Sequence, residues 1–465
     1  NIPGSAASLR EIAIIDMIRE ALPEAIEPRC ENAIALSSAL YAAALCDSLG
    51  VDPAFDRAGA TKKLLALRGS DGGFAWFPGM RSSAIVTAVV LQRLHGLGIV
   101  DEEAAVHFLD KSWFSRDEKR WWFCGISMEQ YLYTRSLFPE VSFTEKTTGD
   151  FRKAVREYLV PKKARGLNGQ VFAKSRRLLT LDNLSELEGG TALARRMGVK
   201  LLAAKKLRKS IEADVESLSQ YSEAHRQGGV YYPNAVMPWR GLMESELYAH
   251  STICRLMDKH GHGDIANGIR LWIMLQKETQ HWEGDPGYIE AIAAVMDAPR
   301  SVLDTRVLAL SGSYTKPFSE IVATGNGVGI KQMAMVYTVP AAWRRGSGSE
   351  AGAAADSLKV GDRIRITWEV SSEENRSFVK VTLPHTAGLV PVNQVSGYNW
   401  SCYRSVLADR TELWYEAYPE EKITVSEEYY VTRAGAFQCP AARVECLYAT
   451  HYQANTSAPE IQIIQ

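Results

Sequence analysis

Two places in the chain gather side chains able to do chemistry. His250, Cys254, His260 and His262 lie close in sequence, with Glu246 just before and Asp264 just after them. His250 and Cys254 stand at i and i+4, so a helix puts them on one face, and zinc takes imidazole and thiolate ligands in such sets. Lys259-His-Gly-His-Gly263 also has the composition of a polar helix end, where histidine complements the negative terminus, and that is the preferred reading. The second place is Cys30, at the entrance to an Ala- and Leu-rich stretch. A helix start favours anions and lowers a thiol pKa. The plainer assignment is an ordinary, partly buried thiol.

Other chemistries lack their parts. Glu102-Glu103 and Glu373-Glu374 are sequence neighbours and read as solvated pairs. No Gly-x-Ser-x-Gly elbow and no Walker-type loop occurs. The Asp-x-Asp-Asp proton donor of toroidal terpene cyclases is absent, and Asp285-Pro-Gly reads as a turn. Trp113-Phe114, Trp121-Trp122-Phe123, Tyr131 and Tyr133 are dense enough for a ligand slot, but packing at the centre of a helical unit or at a domain interface is the commoner use. Lys162-Lys-Ala-Arg165, Arg176-Arg177 and Lys205-Lys-Leu-Arg-Lys209 read as solvated helix faces.

The elements that must position these groups follow from composition and pattern. The 465 residues carry 53 Lys+Arg and 54 Asp+Glu, a net charge of −1, with 46% hydrophobic residues. No basic excess exists to neutralise phosphates, so nucleic acid is not an expected partner. No 18-residue apolar run spans a membrane. Seven cysteines without a CxxC argue against a disulfide framework or a Cys-rich zinc module. The start at Asn-Ile-Pro-Gly, without Met or signal segment, suggests a fragment or processed form, with targeting information upstream.

Helical periodicity is expected over 9–21, 32–49 (stopping at Gly50), 84–97 (stopping at Gly98), 185–219, 244–259 and 264–280. From about residue 303 the pattern alternates. Strands are expected over 360–370, 377–383, 412–418, 422–432 and 443–448, the signature of an antiparallel sandwich. Residues 344–357, rich in Gly, Ser and Ala, read as a flexible surface loop.

A degenerate repeat runs through the helical half. Leu64–Met80 contains Asp71-Gly-Gly-Phe-Ala-Trp and precedes a helix. Gln227-Gly-Gly-Val-Tyr-Tyr-Pro233, with Trp239, precedes another, and Leu275–Trp282 with Glu283–Gly287 is a weaker third copy. Each copy runs helix, Gly-and-aromatic turn, helix. Such a unit buries its apolar face only by stacking on its neighbours, and closing the stack gives an α/α toroid.

Two segments together resemble the C-terminal part of bacterial α2-macroglobulin-like proteins. Asp71–Ser83 and its helix look like the signature of that family's toroidal thioester domain. Leu358–Ile366, Ser396-Gly-Tyr398, Cys402-Tyr-Arg404 and Pro440–Tyr448 are similar to its terminal macroglobulin-like β domain. The resemblance covers most of the chain and implies an α/α toroid over 1–302 followed by an antiparallel β-sandwich over 303–465.

The resemblance also implies a function. The family traps proteases, and a thioester between a Cys and a Gln three residues later acylates the attacker. The matching place is Cys30-Glu31-Asn32-Ala33. Ala33 has no carboxamide, and Asn32 stands at i+2 with a shorter arm, so Cys30, Glu31 and Asn32 are expected to be an unreactive remnant. The implied partners are proteases, met through a longer parent in the bacterial periplasm or outer cell envelope, with the bait segment and any membrane anchor upstream. No catalytic turnover, cofactor or metal is expected. The alternatives are a non-inhibitory envelope scaffold, and a toroidal terpene-cyclase or prenyltransferase-like enzyme, the latter using the His250–Cys254 zinc set.

Overall fold

The computed structural model describes residues 5–26, 31–115, 125–160, 171–225, 228–233, 235–236, 242–277, 287–304, 306–314, 328–337, 358–399, 401–447, 452–456, 458 and 460–465. The chain divides into two compact units, one over Ala6–Ser313 and one from Tyr314 to Gln465.

The described part of the first unit is mainly helical, with short two-stranded pairings. Its helices are α1 (Ile14–Ile26), α2 (Ala33–Leu49), α3 (Arg57–Leu65), α4 (Ala84–Leu94), α5 (Glu102–Phe114), α6 (Met128–Ser136), α7 (Gly149–Leu159), α8 (Val171–Glu186), α9 (Gly190–Arg196), α10 (Ala204–Ser219), α11 (Glu246–Lys259), α12 (Gly263–Lys277), α13 (Gly287–Met296) and α14 (Arg300–Leu303). Helices α2, α4, α6, α8, α11 and α13 each pack on the next, and α13 returns to α2. This is a closed inner ring. Helix α1 lies against α2 and α13, α5 against α4 and α6, α10 against α8 and α11, and α12 against α11 and α13. The unit is therefore an α/α toroid.

Burial follows position in the two layers. Helix α2 buries residues around most of its circumference, as an inner helix must. Outer α10 buries only Leu207, Ile211, Val215 and Leu218, a single stripe. Gly72 in the first repeat and Gly229 in the second both take positive φ, +89° and +78°. A Cβ would lie 2.6 Å from the Ala104 carbonyl oxygen in one and 2.5 Å from the Trp272 nitrogen in the other. Only glycine meets both the dihedral and the close approach.

Three element boundaries differ from expectation. The helix expected from Leu9 begins at Ile14, because Ser5–Ala13 is a strand pairing with Arg306–Tyr314. The helix expected to reach Leu97 stops at Leu94, before Gly96 and Gly98, both at positive φ. The stretch 185–219 is not one helix: Gly189 and Gly198, again at positive φ, separate α8, α9 and α10. Helix α10 starts against local rules. Ala203 provides no side-chain cap, the first turn has no acid, and Lys205 and Lys206 stand at the positive end of the dipole. Each such cation is disfavoured by about 0.3–1 kcal/mol.

The second unit is a β-sandwich. One sheet runs, in spatial order, Gly397–Asn399, Cys402–Val406, Arg410–Tyr418, Arg376–Pro384, Arg443–Cys446, Gln453–Asn455. The other runs Leu389–Pro391, Lys422–Val431, Arg363–Ser372, Val328–Tyr337. Both are antiparallel. Strand Arg363–Ser372 alternates along its length, with Ile364, Ile366, Trp368 and Val370 inward. They meet Val379, Val381, Leu383, Leu413, Tyr415 and Val444 of the facing sheet in one core. A small third sheet adds the parallel pair Glu460–Ile464 with Leu358–Lys359, a departure from the all-antiparallel expectation. The loop expected at 344–357 lies outside the described residues.

Arg404 ties the two large sheets. Its Nε and Nη2 donate to Glu427 at 2.9 and 2.7 Å, and its guanidinium also reaches the Val395 and Asn393 carbonyls at 2.8 and 2.9 Å. Both partners are largely buried. Breaking a buried pair from one side leaves an uncompensated charge. Arg404→Met should lower the stability of the sandwich by about 3 kcal/mol in denaturant titration. Arg404→Met with Glu427→Leu should regain most of it; an unshifted midpoint in the single variant would show the pair to be dispensable.

Candidate functional site

The region around Asn32 was the leading sequence candidate. Asn32 is the N-cap of α2, with extended dihedrals (φ −103°, ψ 164°). Its Oδ1 accepts the Ala35 N–H at 2.9 Å, and the residue is 4% exposed. That bond satisfies one of the donors a helix start leaves orphaned. Ala33 is fully buried, and its N–H donates to the Trp76 carbonyl at 3.0 Å. The first Gly-and-aromatic turn thus abuts the entrance of α2. Glu31 pairs with Lys63 of α3 at the surface, a contact of little energetic weight. Cys30 lies outside the described residues. Position 33 is a packed methyl, and the nearest carboxamide is engaged as a helix cap.

The His/Cys set is dispersed into separate structural bonds. His250 is buried: Nδ1 donates to the Glu246 carbonyl at 2.8 Å, and Nε2 accepts the Tyr232 N–H at 3.0 Å. Thr87 plays the same part in the first repeat, accepting the Phe74 N–H at 2.9 Å. In both copies the helix after the turn holds the turn's backbone amide. Cys254 donates to the Ala266 carbonyl, and burial pushes its thiol up to about 12. His260 bonds Asp182 of α8 at 2.9 Å, and His262 faces Glu216 of α10 at 3.7 Å. Among the described residues no three His, Cys, Asp or Glu side chains are grouped to hold a metal ion.

The remaining sequence candidates divide between core and surface. Trp113 stacks on Tyr131 at 4.9 Å, and Phe114 meets Phe143 and Phe151, so these rings pack α5 against α6 and α7 rather than line the centre. Trp121, Trp122 and Phe123 lie outside the described residues, as do 162–165. Arg176 corrects the surface reading: it is buried, donates to the Met243 carbonyl at 2.8 Å, and lies over the Phe172 ring at 4.2 Å.

Sequence reasoning missed the polar groups inside the ring. Arg93 of α4 bonds Glu290 of α13 at 3.0 Å, and the Ile34 carbonyl and Ser38 hydroxyl of α2 at 3.0 and 2.7 Å. Tyr248 of α11 donates to Gln92, which donates to Thr134 of α6 at 2.7 Å. Arg135 and Tyr131 both bond the fully buried Asp110, Arg135 through Nε at 3.1 Å and Tyr131 at 2.7 Å. The available signal was a lone charge in an apolar run, as in Ala84–Leu94 with its single Arg93 and Gly287–Met296 with its single Glu290.

The architecture, a helical toroid followed by a β-sandwich, is that of the C-terminal region of bacterial α2-macroglobulins. Residues 341–450 match the family model described as the Bacterial Alpha-2-macroglobulin MG10 domain. The fold is similar to native Escherichia coli α2-macroglobulin seen by cryo-EM, at TM-score 0.59 and 14% identity over 99% of this chain and 31% of that one. A crystal structure of the same protein from domain MG7 to the C-terminus gives TM-score 0.59 and 14% identity, over 99% of this chain and 78% of that one. Salmonella α2-macroglobulin reacted with methylamine gives 0.51 and 12%, over 100% of this chain and 32% of that one. The chain thus spans about a third of the full-length relatives. No curated protein matches it in sequence. The α2-macroglobulin-like character read from Asp71–Ser83 and the β-domain motifs stands. Among the described residues no helix is long and apolar enough to cross a membrane.

Two outcomes follow from the site. Asn32→Ala should cost the toroid about 1 kcal/mol through loss of the cap, read as a lower unfolding midpoint. Burial holds the His250 pKa below its ordinary value near 6.5. The unfolded state therefore takes the proton first, and stability present above about pH 6.5 is lost as pH falls below it. His250→Gln, which keeps an acceptor for Tyr232, should give a flatter Tm profile between about pH 7 and 5. An equally steep profile would clear His250 of that role.

Proposed function

We propose that this chain is the C-terminal part of a bacterial α2-macroglobulin-like protein that traps proteases without covalent capture. In this reading the toroid, over about 1–302, corresponds to the thioester-type domain, and 303–465 to the macroglobulin-like domain. The longer parent acts in the periplasm or outer cell envelope, its partners are proteases, and the chain itself has no catalytic turnover. The observation that carries the non-covalent part is the α2 entrance. Ala33 is a buried methyl, and Asn32, the neighbouring carboxamide, caps the helix through Ala35. A thioester needs that carbonyl carbon at the thiol, and the cap bond directs the oxygen into the helix. The match over 341–450 and the shared fold support the wider assignment.

The same observation favours a second reading, a non-inhibitory scaffold on the envelope that kept the architecture. Incubating the full-length protein with several proteases separates the two. A trap should be cleaved, hold the protease through gel filtration, and leave small-substrate activity intact while protein-substrate activity falls. Denaturing electrophoresis should show no covalent adduct. Methylamine should add no mass to the peptide carrying Cys30 and Asn32, and Cys30 should titrate as a free thiol in denaturant without it. A methylamine adduct at Asn32 with release of the Cys30 thiol would overturn the non-covalent mechanism. Cleavage without retention would leave the scaffold.

A further inference from the structure

A run of exposed cations lies on the outer layer of the toroid, over α9, α10 and the elbow between them, bounded in sequence by the exposed acids Glu188 and Glu212. From Gly190 to Ile211 the chain has Arg195, Arg196, Lys200, Lys205, Lys206, Arg208 and Lys209 and no acidic residue, in a protein whose net charge is −1. All seven are exposed. None forms an ion pair among the described residues, although the chain carries 54 acids. Arg152 of α7 joins them, its side chain packed against Gly198 in the α9–α10 elbow. Apolar surface sits in the middle of this charge: Leu202 is 47% exposed in the elbow, beside the half-buried Leu201 and flanked by Lys200 and Lys205.

Local physics does not ask for this arrangement. The start of α10 has no side-chain cap, no first-turn acid and two first-turn lysines against the dipole. A sequence that breaks local rules where they are easily satisfied signals a requirement from outside the fold. The cations attract a surface of negative charge, and the leucines require one with an apolar layer beneath it. A nucleic acid or soluble polyanion uses the first feature only. An anionic bilayer uses both, with lysines at the headgroups and leucines in the acyl boundary.

We propose that the α9–α10 elbow is a peripheral docking surface for anionic phospholipid, with Lys200, Lys205, Lys206, Arg208 and Lys209 at the headgroups and Leu202 inserted. This stands independently of protease trapping. The chain should co-sediment with vesicles of phosphatidylethanolamine and phosphatidylglycerol at low ionic strength, and not with phosphatidylcholine alone. Lys205→Glu with Lys206→Glu should weaken apparent affinity roughly 25-fold or more. The acids suit the helix start, so circular dichroism should be unchanged. Leu202→Ser should weaken binding to the same vesicles about tenfold. Failure of the unaltered chain to sediment, or equal binding by the double lysine variant, would overturn the proposal. So would binding indifferent to Leu202→Ser and abolished by inorganic polyphosphate, which would mark a general polyanion site.

Discussion

The first unit depends on closing a ring. Six inner helices bury one another only if α13 comes back to α2, and the chain must bring residues near 290 to residues near 34 and 93. At that seam Arg93 touches three inner helices at once: its own α4, α2 through Ile34 and Ser38, and α13 through Glu290. The pair is buried, with Glu290 only 8% exposed, so its net stabilisation is small beside the cost of breaking it. Its value is directional. An apolar seam of Ala, Ile and Val would tolerate sliding; a guanidinium with three fixed acceptors does not. Tyr288 adds a second tie, from α13 to the Ala21 carbonyl of α1 at 2.9 Å.

Within the ring the repeat acts as a local jig. The two described Gly-and-aromatic turns are each held by a side chain from the helix after them, Thr87 in one copy and His250 in the other. The two residues differ in type but make the same pair of bonds, each accepting a turn amide and donating to the carbonyl four residues back. The histidine beside Cys254 on this helix face is thus committed to two backbone bonds. Its imidazole satisfies a buried amide that would otherwise be unpaired.

Much of this architecture was legible in the sequence because its signals are periodic. Arg363–Ser372 alternates as its residues foretold, and Asn32 and Gly50 bracket α2 as cap residues should. The order of helical and β halves followed from the same patterns. What was not legible is non-periodic or long-range. The strand Ser5–Ala13 owes its state to a partner some 300 residues away, and no local preference encodes that pairing. Arg176 looked like surface because it stands beside Arg177, which does reach the partly exposed Asp214. Around Asn32, sequence spacing identified the missing carboxamide at position 33, but not that the neighbouring amide was already committed to Ala35.

The returning helix also sets the order in which the toroid can be completed during synthesis. Ala21 and Tyr288, joined across the seam, are 267 residues apart. At ordinary translation rates the apolar faces of α1 and α2 wait on the order of tens of seconds before α13 exists to cover them. Short-range hairpins such as α1 with α2 and α11 with α12 have low contact order and form early, while ring closure bears the entropy of the long loop. The nascent unit is thus an open crescent with two sticky ends, and α13, the last of its inner helices, is the element on which its solubility turns.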